Sequence, residues 1–177
     1  SEFTKTIWDY LDVAVSEDRV ALGIKAVAAN AALLDRIEAE YGVEKEVVAA
    51  IWGLESAYGT WRGDMDTVSA LATLAYDGRR AAFFEAQLLQ ALTILSEGHV
   101  SRDALRGSWA GAMGHTQFMP SSWAEFSVDF DGDGRRNIWG DDPADALAST
   151  ASYLRHWGWT RGQPWGLEVR LPSGFDY

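Results

Sequence analysis

The sequence predicts a mainly α-helical domain with a small β element, and three observations lead to this fold class. Apolar side chains recur at helical spacing along most of the chain, polar and Gly residues separate the successive helical segments, and a single short stretch near the C-terminus alternates as a strand does. A chain of 177 residues fits one domain with one substantial core. We find no internal repeat or low-complexity linker, so nothing indicates a second domain.

The predicted helices follow one another through most of the chain. Their ranges are 4–15, 18–41 with a break at Asn30, 44–58, 67–76 with Thr67 as N-cap, 79–97, a short helix that begins near Pro120, and 143–157. The buried stripe expected for the 79–97 helix consists of Phe83, Phe84, Leu88, Leu92 and Leu95. Beyond Gly158, the alternation of Leu167 to Leu171 predicts a half-buried strand.

Composition excludes several classes of partner. The formal charge of −11, from 15 Lys and Arg against 26 Asp and Glu, opposes binding to nucleic-acid phosphates and to anionic lipid surfaces. The chain has no Cys, which removes disulfides, thiol catalysis and thiolate metal sites. Nine Trp, six Tyr and seven Phe are many for this length, and rings that do not fill the core form platforms on which sugars stack.

No signal peptide is visible at the N-terminus, which is typical of a mature form or an excised fragment.

Glu55 is the one carboxylate on an apolar side of the helix predicted over 44–58. Its neighbours on that side are Val48, Ile51 and Trp52. A carboxyl group held against such side chains loses hydration in its charged form, so its pKa rises and it suits a general acid. The alternative is a structural glutamate that pairs with an arginine from elsewhere, such as Arg62 or Arg79.

The acidic segment 129–138 matches the first half of an EF-hand calcium loop. Carboxylates stand at loop positions 1, 3 and 5, as Asp129, Asp131 and Asp133, and Gly134 follows at the position of the tight turn. Three such carboxylates repel each other unless a cation lies among them. The alternative is an Asp/Gly surface turn without an ion.

The second half of this loop departs from the EF-hand pattern. Position 7 offers the Arg135 backbone carbonyl, and position 9 offers the Asn137 side chain or a water. Position 12 is Gly140, where a bidentate Glu is expected. A longer loop can be closed by a later acid, and the candidates are Asp141, Asp142 and Asp145.

Other catalytic patterns are missing from the sequence. His99, His115 and His156 lack the spacing of a zinc site, so we interpret them as surface or packing residues. There is no Walker loop, no dinucleotide fingerprint and no Gly-x-Ser-x-Gly setting for a serine nucleophile.

Several stretches taken together resemble one family, the B-type lytic murein transglycosylases of glycoside hydrolase family 103. These stretches are 52–59 (WGLESAYG), 71–80 (LATLAYDGRR), 107–114 (GSWAGAMG), 117–122 (QFMPSS) and the loop that begins at Asp129. The similarity runs from about Phe3 to Tyr177 with every landmark in order.

The resemblance implies a lysozyme-like, mainly helical fold that cleaves the β-1,4 bond between N-acetylmuramic acid and N-acetylglucosamine and leaves 1,6-anhydromuramic acid. It implies no cofactor for the chemistry and a structural calcium ion. Glu55 matches the single catalytic glutamate. The implied substrate-binding residues are Ser108, Gln117, Phe118, Tyr153, Tyr10 and Tyr58. The implied metal residues are Asp129, Asp131, Asp133, Arg135, Asn137 and Asp145.

The same resemblance implies a partner, a location and an extent. The partner is the peptidoglycan glycan strand, met by a monomer in the periplasm or at the outer membrane of a Gram-negative bacterium. We expect residues 1–177 to form the catalytic domain without the family's N-terminal and C-terminal extensions, and 129–145 to form its calcium loop. Because this loop is about two residues longer than in the family, its closing ligand is Asp145 or Asp142.

One carboxylate suffices if the substrate's own acetamido carbonyl attacks the anomeric carbon. Ser108 or Gln117 is expected to hold that acetamido group, and the alternative for each is a bond to nearby loop backbone. Tyr153 and Phe118 either face the sugar rings or belong to the core. Two other functions fit the sequence: a hydrolytic muramidase, and a calcium-stabilised peptidoglycan-binding module without turnover.

Overall fold

The computed structural model describes residues 6–164 and 166–176, and this part of the chain is mostly helical. Its elements in chain order are α1 (Ile7–Ala14), α2 (Glu17–Ala29), α3 (Ala31–Tyr41), α4 (Lys45–Ser56), β1 (Met65–Asp66), α5 (Thr67–Asp77), α6 (Ala81–Ser96), β2 (Arg106–Gly107), α7 (Pro120–Phe126) and α8 (Ala144–His156). The predicted mainly α class is therefore confirmed.

Local signals explain most helix ends. The predicted break at Asn30 is present, and the Asn30 side chain donates to the Ala26 carbonyl at 2.9 Å in the last turn of α2. Gly42 ends α3 in the left-handed region, with φ 69°, where glycine carries no steric penalty. The N-cap of α5 is Asp66, which accepts from the Ser69 amide at 2.7 Å. The prediction of Thr67 as this cap was wrong by one residue.

The small β element lies elsewhere than predicted. The short strands β1 and β2 pair antiparallel, with Met65 opposite Gly107. Leu167 to Leu171 form no strand, and their apolar side chains are exposed. Alternation alone does not make a strand, because the backbone groups also need a neighbouring strand to pair with. No segment within 6–164 or 166–176 supplies that neighbour.

The core consists of two clusters that meet at α8. One cluster joins α5, α6 and α7 with the 105–118 and 138–139 segments. The other joins α3 and α4 with the later turns of α8. Every residue of α8 from Ala144 to Ala151 is buried, and the small side chains there let its neighbours approach closely. The position of α4 is therefore set by a buried central helix.

Helix α6 is rotated from the predicted face. Phe83 and Leu92 of the expected stripe are exposed, and its other members, Phe84, Leu88 and Leu95, are partly buried against the core. The fully buried positions of the helix are Gln87, Ala91 and Ile94. The buried Gln87 amide donates to the Ser121 hydroxyl at 3.0 Å and accepts from the Ser121 backbone N–H at 2.9 Å. Two hydrogen bonds compensate for the burial of this polar side chain and fix α6 against the start of α7.

Candidate active site

Helix α4 ends abruptly beside Glu55. Ala57 and Tyr58 both have positive φ, 48° and 59°, and Gly59 follows at 83°. The Tyr58 amide donates to the Trp52 carbonyl at 3.3 Å, and the helix ends at Ser56, two residues before the predicted end. Residues other than glycine in the left-handed region carry strain, and such strain collects at functional sites.

Glu55 lies in the last turn of α4, exposed but without a partner. Neither a hydrogen bond nor an ion pair joins its carboxyl group to any residue in the described ranges. Partial loss of hydration against the protein raises the pKa of Glu55, and the negative end of the helix dipole acts in the same direction. The predicted shift of the pKa is confirmed in direction.

The structural alternative for Glu55 does not hold. Arg62 pairs with Asp141 at 3.0 Å, and Arg79 pairs with Asp77 at 3.0 Å. The arginines proposed as partners are therefore engaged elsewhere, and neither neutralises the Glu55 carboxyl group.

Tyr58 occupies a slot between α2 and α4. Its ring packs over Gly23 and Gly53 and meets Trp52 edge-on at 5.6 Å between ring centroids. Residues two apart on a helix point about 200° from one another, so the Gly53 side of α4 faces away from Glu55. Tyr58 thus contributes to the packing of α4, and its role as a substrate-binding residue stays a prediction.

A cavity of about 290 Å³ opens near the slot. It is lined by Tyr58 together with Asn30, Thr60, Arg62 and Asp141, among others, and Glu55 is not part of its wall. Glu55 therefore lies outside this cavity, with its side chain exposed at the end of α4.

Two neighbouring loops come together next to the end of α4. Gly63 packs directly on the backbone of Gly107, and a side chain at Gly63 would collide with it. Gly114 packs in the same way against the Ile138 carbonyl. The predicted close approach of backbone in the 107–114 stretch is confirmed, and it carries Ser108 and Gln117 into the same region.

Ser108 and Gln117 both bond loop backbone, yet each keeps one free function. The Ser108 hydroxyl oxygen accepts from the amides of Ala110 at 3.3 Å and Ala112 at 3.0 Å. The Gln117 amide nitrogen donates to the carbonyls of Arg62 at 3.2 Å and Gly114 at 2.9 Å. Within the described chain, the Ser108 O–H proton and the Gln117 Oε1 atom have no partner. A donor and an acceptor thus remain for a ligand.

The other predicted substrate-binding residues divide into two groups. Phe118 is 8% exposed and belongs to the core, where its ring lies 6.0 Å from that of Tyr153. Tyr153 is 37% exposed and also packs edge-on against Phe126 at 5.0 Å. Tyr10 lies exposed on α1, and no hydrogen bond or ring contact in the described part of the chain joins it to the other candidates.

His115 was predicted to be a packing or surface residue, and the structure places it in the interior, with contacts that the sequence did not indicate. His115 is buried; its Nδ1 accepts from the Trp52 indole at 3.1 Å, and its Nε2 lies 2.8 Å from the Gly140 carbonyl. Nε2 must therefore carry the proton and donate it. Burial lowers the pKa of His115, and the Arg62 charge acts in the same direction, so the ring is neutral. Only its place directly after Gly114 in a motif distinguished it in the sequence.

The acidic loop has the donor set of a hard cation. Carboxylate oxygens of Asp129, Asp131 and Asp133 lie within 4.8 Å of one another. Asp129 also accepts from the amides of Gly132 and Gly134, at 2.8 and 2.9 Å, so the loop already curls around its first carboxylate. Calcium takes six to eight such oxygens and tolerates irregular geometry, and this arrangement fits it.

Asp145 closes the loop. It is 3% exposed and accepts from the amides of Phe130 at 2.8 Å and Asn137 at 2.7 Å, which stand at opposite ends of the loop. Burial raises the pKa of Asp145, and the Asp131 charge acts in the same direction. Asp142 instead accepts from the Ala144 amide at 2.9 Å at the start of α8. Of the two predicted closing residues, the structure favours Asp145.

The Asn137 side chain is engaged in the turn that follows the loop, and its predicted role as a calcium ligand stays a prediction. Its Oδ1 accepts from the amides of Trp139 and Gly140, each at 3.1 Å, so it stabilises the following turn. The water alternative at this loop position is compatible with that geometry, and the Arg135 carbonyl stays a prediction.

This helical domain ends one helix with an unpaired glutamic acid of raised pKa, a group of the kind that can donate a proton. Comparison with known proteins then defines the family. Residues 1–177 match the family described as "Transglycosylase SLT domain", and the chain belongs to it.

Individual relatives agree with this assignment. The chain is 39% identical over 148 residues to membrane-bound lytic murein transglycosylase B of Escherichia coli (strain K12), which covers 80% of this chain and 40% of that protein. SltB3 from Pseudomonas aeruginosa in complex with NAG-NAM-pentapeptide superimposes with a TM-score of 0.92 and 53% identity over 98% of this chain and 46% of that one. Escherichia coli Slt35 in complex with calcium superimposes with a TM-score of 0.83 and is 37% identical; the match covers 88% of this chain and 49% of that one.

The chain thus spans about half the length of these relatives or less. The lysozyme-like fold implied by the sequence is confirmed by these matches. Within the described residues, no helix has both the length and the apolar character needed to cross a membrane.

Proposed function

We propose that this chain cleaves the β-1,4 bond between N-acetylmuramic acid and N-acetylglucosamine in peptidoglycan and leaves a 1,6-anhydromuramic acid end. The observation that carries the proposal is Glu55, an unpaired carboxyl group of raised pKa at the strained end of α4. The similarity of the chain to lytic murein transglycosylases, one of which was crystallised with NAG-NAM-pentapeptide, supports the choice of substrate.

The first step uses Glu55 as an acid. Its proton passes to the glycosidic oxygen, the bond from that oxygen to the anomeric carbon breaks, and N-acetylglucosamine leaves as an alcohol. The acetamido carbonyl oxygen of the muramic acid attacks the anomeric carbon, so the substrate supplies the nucleophile. A raised pKa keeps the proton available for this step.

The second step uses the same residue as a base. The Glu55 carboxylate takes the proton of the muramic acid C6 hydroxyl, and O6 bonds to the anomeric carbon while the acetamido oxygen leaves it. No water enters, and Glu55 is protonated again for the next cycle. A poorly hydrated carboxylate is a stronger base than a free one, so one environment serves both steps.

Ser108 and Gln117 are proposed to orient the acetamido group. The free Ser108 O–H can donate to a carbonyl oxygen, and the free Gln117 Oε1 can accept from an N–H. Both are held by bonds to loop backbone, which reduces the entropy lost when substrate binds. Tyr153, with 37% exposure, is proposed to contact a sugar ring at the edge of the aromatic cluster.

Calcium is proposed as a structural ion of the 129–145 loop. Asp129, Asp131, Asp133 and Asp145 would hold it through side chains, and Arg135 through its carbonyl. When bound, the ion supplies positive charge that offsets the repulsion between these acids. It takes no part in the chemistry. We further propose that the protein acts in the periplasm or at the outer membrane of a Gram-negative bacterium, because its substrate lies there. We propose that it acts as a monomer.

Mass spectrometry of purified murein incubated with this chain tests the proposal. We expect products that are one water lighter than those of hydrolysis and lack a reducing end. Reducing ends would instead identify a hydrolytic muramidase, and murein that is bound without release of products would identify a binding module. Glu55→Gln should remove all product, while Glu46→Gln, an exposed glutamate at the start of the same helix, should release as much as the parent.

A further inference from the structure

His115 connects the catalytic helix to two other segments. Its Nδ1 accepts from the Trp52 indole at 3.1 Å, its backbone carbonyl accepts from the Ser56 hydroxyl at 2.5 Å, and its Nε2 donates to the Gly140 carbonyl at 2.8 Å. Its backbone N–H donates to the Ile138 carbonyl at 3.1 Å. A single buried residue thus joins the last turn of α4 to the segment 138–140.

The two contacts on α4 bracket Glu55. Trp52 lies about one turn before it and Ser56 directly after it, so both side chains emerge next to the catalytic carboxyl group. The turn they belong to runs into the strained left-handed residues Ala57 and Tyr58. Strained backbone persists only where the surroundings determine it. Arg19 of α2 holds this turn by donating to the Gly53 carbonyl at 2.5 Å and the Leu54 carbonyl at 3.5 Å, and His115 holds it from the other side through its ring and its backbone carbonyl.

We propose that His115 is a positioning residue for Glu55. Its ring accepts a hydrogen bond from Trp52, and its backbone carbonyl accepts one from Ser56. These two bonds set the direction in which the last turn of α4 presents the Glu55 carboxyl group to the glycosidic oxygen. The inference rests on the proposed function, since it needs Glu55 to be the acid. His115 itself does not touch the substrate: it is 3% exposed and neutral, and both ring nitrogens are engaged.

The two ring nitrogens allow the contacts to be separated by substitution. In His115→Asn the amide oxygen stands near the position of Nδ1, so the bond from Trp52 can be kept. In His115→Gln the amide reaches the position of Nε2, so the bond to Gly140 is kept and the Trp52 indole loses its acceptor. His115→Phe removes both bonds and retains the volume of a ring.

The experiment compares these variants for kcat and KM on murein glycan and for the pKa of Glu55, followed by carboxyl-carbon NMR. Misplacing a reacting group by about 1 Å lowers a rate by about a hundredfold. We expect kcat to fall at least about tenfold in His115→Phe and His115→Gln, with KM within about twofold of the parent. The pKa of Glu55 should move toward that of a free glutamate, and His115→Asn should restore most of kcat.

Gln87→Leu is the matched control. Gln87 is also buried and also makes two hydrogen bonds, but it joins α6 to α7 and does not contact α4. It should lower the melting temperature as the His115 variants do, yet leave kcat and the pKa of Glu55 unchanged.

Two results would overturn the inference. One is His115→Phe with kcat within about twofold of the parent and an unmoved Glu55 pKa despite a lowered melting temperature. The other is Gln87→Leu with the same loss of kcat, which would make the effect one of general stability. Failure of the proposed function has a different signature, because the parent would then release no anhydro product, or Glu55→Gln would remain active, whatever the His115 variants do.

Discussion

Gly53→Ala should destabilise this protein even though alanine is the better helix former. A methyl group at Gly53 would lie 2.5 Å from both Cζ and Oη of Tyr58 and 2.9 Å from its Cε1. Ordinary contact begins near 3.4 Å, so the ring must shift by roughly 1 Å. It cannot move freely in the opposite direction, because Gly23 of α2 stands behind it.

The magnitude follows from two opposing terms. Gly to Ala within a helix gains about 1 kcal/mol. Overpacking of a filled site costs about 1–3 kcal/mol. We place this case toward the upper end because the methyl group presses on the Tyr58 ring from α4 while α2 blocks the ring on its other side. The net loss is about 1–2 kcal/mol. For a domain of this size, each kcal/mol lowers the melting temperature by about 2–4 °C.

Thermal unfolding followed by circular dichroism measures this loss, and two controls separate the terms. Ala50→Gly, on the exposed side of the same helix, should cost about 1 kcal/mol and so calibrate the propensity term. In a Tyr58→Ala background the slot is empty, and there Gly53→Ala should become stabilising. The sign of its effect should thus reverse between the two backgrounds.

A melting temperature that rises in Gly53→Ala with Tyr58 present would refute this reasoning. It would mean that the Tyr58 ring leaves the slot at little cost, and that helix propensity alone decides the effect. An equal loss in both backgrounds would place the cause elsewhere than in the contact with Tyr58.

Three further outcomes are expected. The rate of glycan cleavage should fall as pH rises through the raised pKa of Glu55, since the acid form donates; a pH–rate profile without that alkaline decline would contradict the acid role. Calcium at a hundredfold excess over its dissociation constant should stabilise the fold by about 2.7 kcal/mol, and a melting curve of Asp131→Asn should show no such gain. The pKa of Glu44 is lowered by hydrogen bonds from the Gly162 amide and the Trp159 indole. These contacts therefore persist above the ordinary glutamate pKa and are lost as pH falls through the lowered pKa of Glu44. An indole NMR signal of Trp159 that is unchanged in acid would count against this.

The sequence alone determined the features that depend on neighbours along the chain. The break at Asn30, the end of α3 at Gly42 and the start of α7 at Pro120 follow from backbone preferences of single residues. The three alternating carboxylates of the acidic loop are equally local, because a tight turn brings positions 1, 3 and 5 together by itself. Glu55 was found because a charge on an apolar helix face is visible from periodicity.

Only the tertiary structure decided which distant groups meet. Asp145, rather than Asp142, accepts hydrogen bonds from both ends of the acidic loop because α8 holds it, buried, between them. Tyr58 packs against α4 on the side away from Glu55 because two glycines on different helices open a slot there. His115 reaches Trp52 across 63 positions of sequence. Contacts of this kind depend on how helices pack, and packing is set by the shapes of both partners together, which no local pattern contains.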